Sequence, residues 1–156
     1  MTRRPLRTTL ATGAAAALGV LALSAAAALP ASAAPGTAGR GLTTTLAGEN
    51  EVGPAGGDPD GTGAARLSVN YGQSRLCYSI TVADIGTAVM AHVHEGAAGT
   101  NGPVVIGLMA PGADGTSSGC VTVERSILKG ILQDPAEYYV NVHTAAFPGG
   151  AVRGQL

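Results

Sequence analysis

Basic residues are scarce once the first few positions are set aside. Arg3, Arg4 and Arg7 crowd the N-terminus, and from Ala34 onward only Arg40, Arg66, Arg75, Arg125, Lys129 and Arg153 stand against ten acidic residues. A mildly acidic chain without clustered Lys and Arg cannot displace the counterions of a polyphosphate, which argues against nucleic-acid binding. No basic amphipathic helix is present to lie on a membrane surface. There is no G-x-S-x-G elbow for a serine hydrolase, no C-x-x-C for thiol redox work and no internal repeat. The glycines of EGAAGTNG (Glu95–Gly102) do not follow a strand and open a helix, so they make no phosphate loop. They are expected to serve turns with positive φ, with Asn101-Gly102 as a hairpin corner. The stretch Glu49–Gly63 holds Glu49, Glu51, Asp58 and Asp60 without EF-hand spacing, and reads as a solvated acidic loop rather than a calcium site.

Long apolar runs are equally scarce. The one present, LATGAAAALGVLALSAAAAL (Leu10–Leu29), comes after the arginine-rich start and precedes the small residues PASAA. That order of charge, apolar stretch and A-x-A site is a secretory signal peptide, residues 1–33, with cleavage expected after Ala33. No cysteine follows the site, which argues against a lipoprotein. No second stretch can span a bilayer, so the mature chain is expected to be released and to have no membrane partner. Residues 34–41 (APGTAGRG) read as a flexible tether. Beyond the cleavage site the chain runs for about 120 residues, the size of one domain with a single core. Two cysteines in an oxidising compartment, Cys77 and Cys120, read as one disulfide. By closing a loop of this length it would add roughly 3–4 kcal/mol.

The rest of the chain alternates short β-like runs with Gly, Pro and Asp clusters. LTTTLAG, AARLSVN, RLCYSITV, AVMAHVHEG, PVVIGLM, SGCVTV, EYYVNVHT and GAVRGQL make about eight strands. This is the pattern of an all-β antiparallel sandwich or barrel, and a Greek-key sandwich is the expected fold. VERSILKGILQDP breaks it, with Ile127, Leu128, Ile131 and Leu132 at helical spacing and Asp134-Pro135 as the stop. One short helix at an end of the sandwich is expected there.

The chain has three histidines, and strand parity says where they point. Residues two apart share a face. In AVMAHVHEG, Val89, Ala91 and Val93 lie opposite Met90, His92 and His94. In EYYVNVHT, Tyr138, Val140 and Val142 lie opposite Tyr139, Asn141 and His143. With the valines turned to the core, all three histidines project from the outer face. His92 and His94 can reach one metal, and His143 from an adjacent strand would complete an N₃ set suited to copper or zinc. Equally, His92 and His94 can fasten the glycine-rich loop through hydrogen bonds to backbone carbonyls. Glu95, Asn141 and Arg153 are the near-site candidates, Glu95 as a partner for a packed or salt-bridged Arg153.

LAGENEVGP, AHVHEGAAGTNGPVV and YYVNVHTAAFPGGAVRGQL, in that order, resemble the CHRD domain, named after chordin, over residues 42–156. The closing N-V-H-T-x-x-x-P-G-G-x-[VI]-R-G-Q-L pattern is long and specific. The resemblance implies a β-sandwich and no reaction, as in the bacterial members, which are mostly secreted. A second similarity is to Cu/Zn superoxide dismutase, through HVHE followed by glycines and through GGAVRG. It would make His92, His94 and His143 copper ligands and Arg153 a guide for an anion. No further His or Asp cluster exists for a bridging or zinc site, and Cys77–Cys120 does not match that enzyme's bridge, so dismutase activity is not expected. The reading that results is a secreted, non-enzymatic module whose partner is an extracellular protein or matrix component. Its alternative is a copper or zinc protein built on the three histidines.

Overall fold

The computed structural model of the chain describes residues 39–156, so the expected signal peptide and residues 34–38 lie outside the described residues. Eight strands form: β1 (Arg40–Ala47), β2 (Thr62–Asn70), β3 (Arg75–Ala83), β4 (Ala88–Glu95), β5 (Val104–Leu108), β6 (Thr116–Thr122), β7 (Tyr138–Thr144) and β8 (Val152–Gln155). The helix α1 spans Arg125–Gln133. Arg40 and Gly41 pair with Val69 and Ser68 as part of β1, so the expected tether gives way to strand two residues earlier than Leu42. Among the described residues no helix is long and apolar enough to cross a membrane.

The strands share one sheet in the order β5-β4-β7-β8-β1-β2-β3-β6, with every neighbour antiparallel. The expected all-β antiparallel fold with eight strands and one helix is therefore what forms, as one nearly closed sheet rather than two separate ones. Its halves β5-β4-β7-β8 and β1-β2-β3-β6 join where Ala47 stands opposite Arg153. Its free edges approach each other: Val105 and Ile106 of β5, Val121 and Thr122 of β6 and Ile127 of α1 line one cleft of about 380 Å³.

Period-two patterning decides what goes inside. Ala65, Leu67 and Val69 of β2 and Leu76, Tyr78 and Ile80 of β3 are buried while their alternates face outward. They pack with Ala91, Val93, Ile106, Val140, Val142 and Val152 in one core, which Leu128 and Ile131 of α1 close. Gly130 lies within that helix, where a side chain would run into the Tyr138 hydroxyl. Cys77 and Cys120 are register partners on β3 and β6 and form the disulfide.

Candidate metal centre

β4 and β7 are neighbours, and their register sets the site. Met90 stands opposite His143, His92 opposite Asn141, and His94 opposite Tyr139. Opposed residues of an antiparallel pair share a face, so these six side chains form a continuous patch behind the core-facing Ala91, Val93, Val140 and Val142. A bulge at Val89, where the register shifts between Ala88 and Met90, ends this regular pairing just before Met90. Parity thus assigns the histidines to the correct side of the sheet. That side is largely covered, however, so the outward-facing histidines are not surface groups, His92 alone being partly exposed. His94 and His143 are only 8% and 6% exposed, and every residue of β7 is buried.

Three connections cover the patch. The β4–β5 connection folds back so closely that a side chain on Gly102 would collide with the Glu95 carbonyl, and Glu95 N–H donates to Pro103 O at 3.1 Å. Its corner is Ala97–Thr100, closed by Thr100 N–H to Ala97 O with Gly99 at φ +77°, rather than the expected Asn101-Gly102. Asn101 instead donates to Val52 O at 2.8 Å, tying this connection to the one between β1 and β2. The β7–β8 connection supplies Pro148 O, and Gly150 packs against the Glu51 carboxyl.

The three imidazoles converge. One ring nitrogen of each of His92, His94 and His143 lies within 4.8 Å of the others. His94 Nδ1 bonds Gly102 O at 2.9 Å and His143 Nδ1 bonds Pro148 O at 3.0 Å. A carbonyl oxygen only accepts, so both Nδ1 atoms carry the proton and both Nε2 atoms keep a lone pair. His143 Nε2 lies 3.1 Å from His92 Nδ1, which must then be the donor between them. His94 Nε2 is buried and has no hydrogen-bond partner. An unpaired acceptor of this kind is costly unless something binds it. Of the two histidines expected to fasten the glycine-rich connection, His94 does so and His92 instead bonds His143. Nδ1 of His94 fastens the glycine-rich connection, and Nε2 is left aimed at its neighbours.

The surroundings of His92 and His143 disfavour their charged forms. Burial pushes the pKa of His92 below its ordinary value of 6.5, with the charges of His143 and His94 acting in the same direction. Burial does the same to His143, opposed by its bond to Pro148 and helped by His94. Neutral imidazole is the metal-binding form. Zinc–nitrogen bonds of about 2.0–2.1 Å set tetrahedral ligand nitrogens about 3.4 Å apart. The His92–His143 separation of 3.1 Å is close to that, and the His94 ligand nitrogen lies within 4.8 Å of both. To hold a metal together with the other two rings, His92 would offer Nδ1 as its ligand atom and carry its single proton on Nε2.

Around the cluster, Tyr139 organises the packing. Its ring lies between β4 and β8, stacked on His94 at 4.7 Å and 10°, with the Arg153 guanidinium 3.4 Å from the ring centroid. Arg153 is 2% exposed and donates to Asn101 Oδ1, Ala97 O and Thr100 O at 3.3, 3.2 and 2.8 Å. It is a packed arginine, as one of its expected roles had it. It has no solvent-facing role as a guide for anions, and Glu95 is not its partner. Glu95 is exposed at the end of β4. The acidic group that feels the Arg153 charge is Glu51, which belongs to the loop expected to be solvated. Burial raises the Glu51 pKa from 4.5 to about 7, against the pull of Arg153, Asn141 and the Val52 backbone. Tyr139 was legible by parity with Asn141 and His143. Glu51 carried no local signal, because three separate connections enclose it.

A family model described as CHRD domain matches residues 42–156. The chain belongs to the CHRD domain family. Neither the curated proteins nor the solved structures returned a match, and the likeness to superoxide dismutase rests on its short motifs alone. In this CHRD domain the closing run YYVNVHTAAFPGGAVRGQL is β7, its following connection and β8. It contributes Tyr139, His143, the Pro148 carbonyl and Arg153 to one cluster.

Proposed function

We propose that this CHRD domain is an exported metal-binding protein that holds copper or zinc on His92, His94 and His143. The observation that carries the reading is the buried, unpartnered Nε2 of His94, set beside ring nitrogens of His143 and His92, with the Nδ1 atoms of His94 and His143 held by backbone carbonyls. Three neutral nitrogens and no thiolate suit either metal. Export is supported by the arginine-rich start, the single apolar stretch, the A-x-A site and the disulfide. No reaction is proposed. The test is metal analysis of the purified chain with His92→Ala and His143→Ala. Stoichiometric copper or zinc should be retained by the native chain and weakened at least about a hundredfold in both variants. A native chain that retains neither metal, with folding unchanged in both variants, removes the reading.

Contact with an extracellular protein or matrix component is a second reading compatible with the first. It is favoured by Val89, Met90, Val104 and Met109, which are exposed on or beside β4 and β5. Adhesion to a matrix-coated surface should fall in Val89→Asp, and equal adhesion of variant and native chain counts against it.

A further inference from the structure

Apart from Met1, the chain has two methionines, Met90 and Met109. Both are exposed, at 44% and 68%. A single exposed methionine needs no explanation. Met90 is set apart by its place in the register. It stands directly opposite His143 on the neighbouring strand, and it precedes His92 by two residues on the same face of β4. Opposed residues have Cβ atoms about 4.5–5.5 Å apart. Met90 and His92 are therefore the two β4 residues that flank His143, and the 3.1 Å gap between the His92 and His143 nitrogens lies within their reach. The methionine side chain is unbranched and turns freely about three bonds, so its sulfur can swing onto that spot.

Burial shows which side is open. His94 and His143 are enclosed by the β4–β5 and β7–β8 connections, whereas His92 is partly exposed and Met90 more so. A metal on the three imidazoles would then meet solvent on the Met90 side. Both cysteines are consumed by the disulfide, and no free thiol exists among the described residues. Thioether sulfur is the soft ligand that remains, and it stays a ligand in an oxidising compartment where thiols do not. Soft sulfur donors favour monovalent copper, while zinc is served by imidazole alone.

Resting on the three-histidine reading above, we infer that the site is built for monovalent copper, with the Met90 thioether as its fourth ligand on the exposed side. Met90 is then the most exposed of the four ligands, while His94 and His143 are held by the connections. The carboxylates play no part: Glu95, next to His94, points to solvent at the strand end, and Glu51 lies against Asn141 and Gly150.

The experiment compares the whole chain with Met90→Leu and Met109→Leu. Monovalent copper is supplied with ascorbate under anaerobic conditions against a chromophoric copper chelator, and zinc is titrated separately. Met90→Leu is expected to weaken monovalent copper by about tenfold or more while zinc affinity changes less than about twofold. Met109→Leu serves as the control for loss of an exposed thioether elsewhere and should match the native chain. X-ray absorption of the copper-loaded native chain should show one sulfur scatterer that is missing in Met90→Leu. Equal copper affinity in Met90→Leu and native chain overturns the assignment of Met90 and leaves the histidine site standing. An equal loss for zinc, or the same copper loss in Met109→Leu, also overturns it. A native chain that takes neither metal overturns both.

Discussion

Glu51 is the residue whose chemistry differs most from its surroundings in sequence. Its neighbours Glu49 and Asp60 are exposed, yet its own carboxyl is half-buried, with Oε1 lacking a partner. The sign of its effect on stability comes from linkage. A folded-state value of about 7 lies above the ordinary 4.5, so between those pH values the folded chain binds more protons than the unfolded one. The Glu51 contribution is therefore fully present below pH 4.5 and is lost as pH rises through 7. His92 and His143 act in the opposite sense. Their folded values are depressed, so their contribution is present above 6.5 and lost as pH falls through the folded values. Glu51→Gln separates the two. Urea unfolding of metal-free protein at pH 5 and pH 8 should show the variant losing less stability, or gaining more, over that rise than the native chain. Parallel behaviour of the two would mean that Glu51 is not perturbed by burial.

At the scale of elements, most of the architecture was legible because each strand alternates on one period. β2 and β3 can be read residue by residue, and the helical spacing of Leu128 and Ile131 marks α1 although Gly130 sits within it. β7, and β4 from Met90 onward, were legible to the level of which face holds which side chain, whereas Val89, expected to face the core, is exposed at the bulge. Their adjacency was not, since chain order puts β5, β6 and α1 between them. Nor could parity say that the second face of β7 is covered. Alternation of Tyr139, Asn141 and His143 with valines resembles a strand with one wet face, and a strand covered by loops reads the same way. The glycine-rich connection shows a related limit. Asn-Gly is a strong turn signal, but the turn settled at Ala97–Thr100 because Asn101 is drawn into bonds with Val52 and Arg153. Long-range partners outweighed a local preference.

At the scale of the whole molecule, the nearly closed sheet separates stability from the site. The disulfide staples β3 to the edge strand β6, in the half of the sheet that carries none of the three histidines. It closes a separation of 43 residues, for which the chain-entropy model gives about 4 kcal/mol. The double variant Cys77→Ala/Cys120→Ala should therefore unfold in urea with a loss of about 3–4 kcal/mol, yet bind metal with native affinity wherever it remains folded. Loss of metal binding by the folded variant would show that the two halves are coupled.

By itself the sequence determined the all-β class, the strand and helix segments, the disulfide pair, the CHRD motifs and the face of each histidine. These depend on local period, composition and chain order, which any single chain displays. Only the tertiary structure decided that His143 stands beside His92 and His94, that loops bury them, that two Nδ1 protons are held by Gly102 and Pro148, and that Glu51 is turned inward. Each of those is a contact between segments distant along the chain, so it exists only once the sheet order is set.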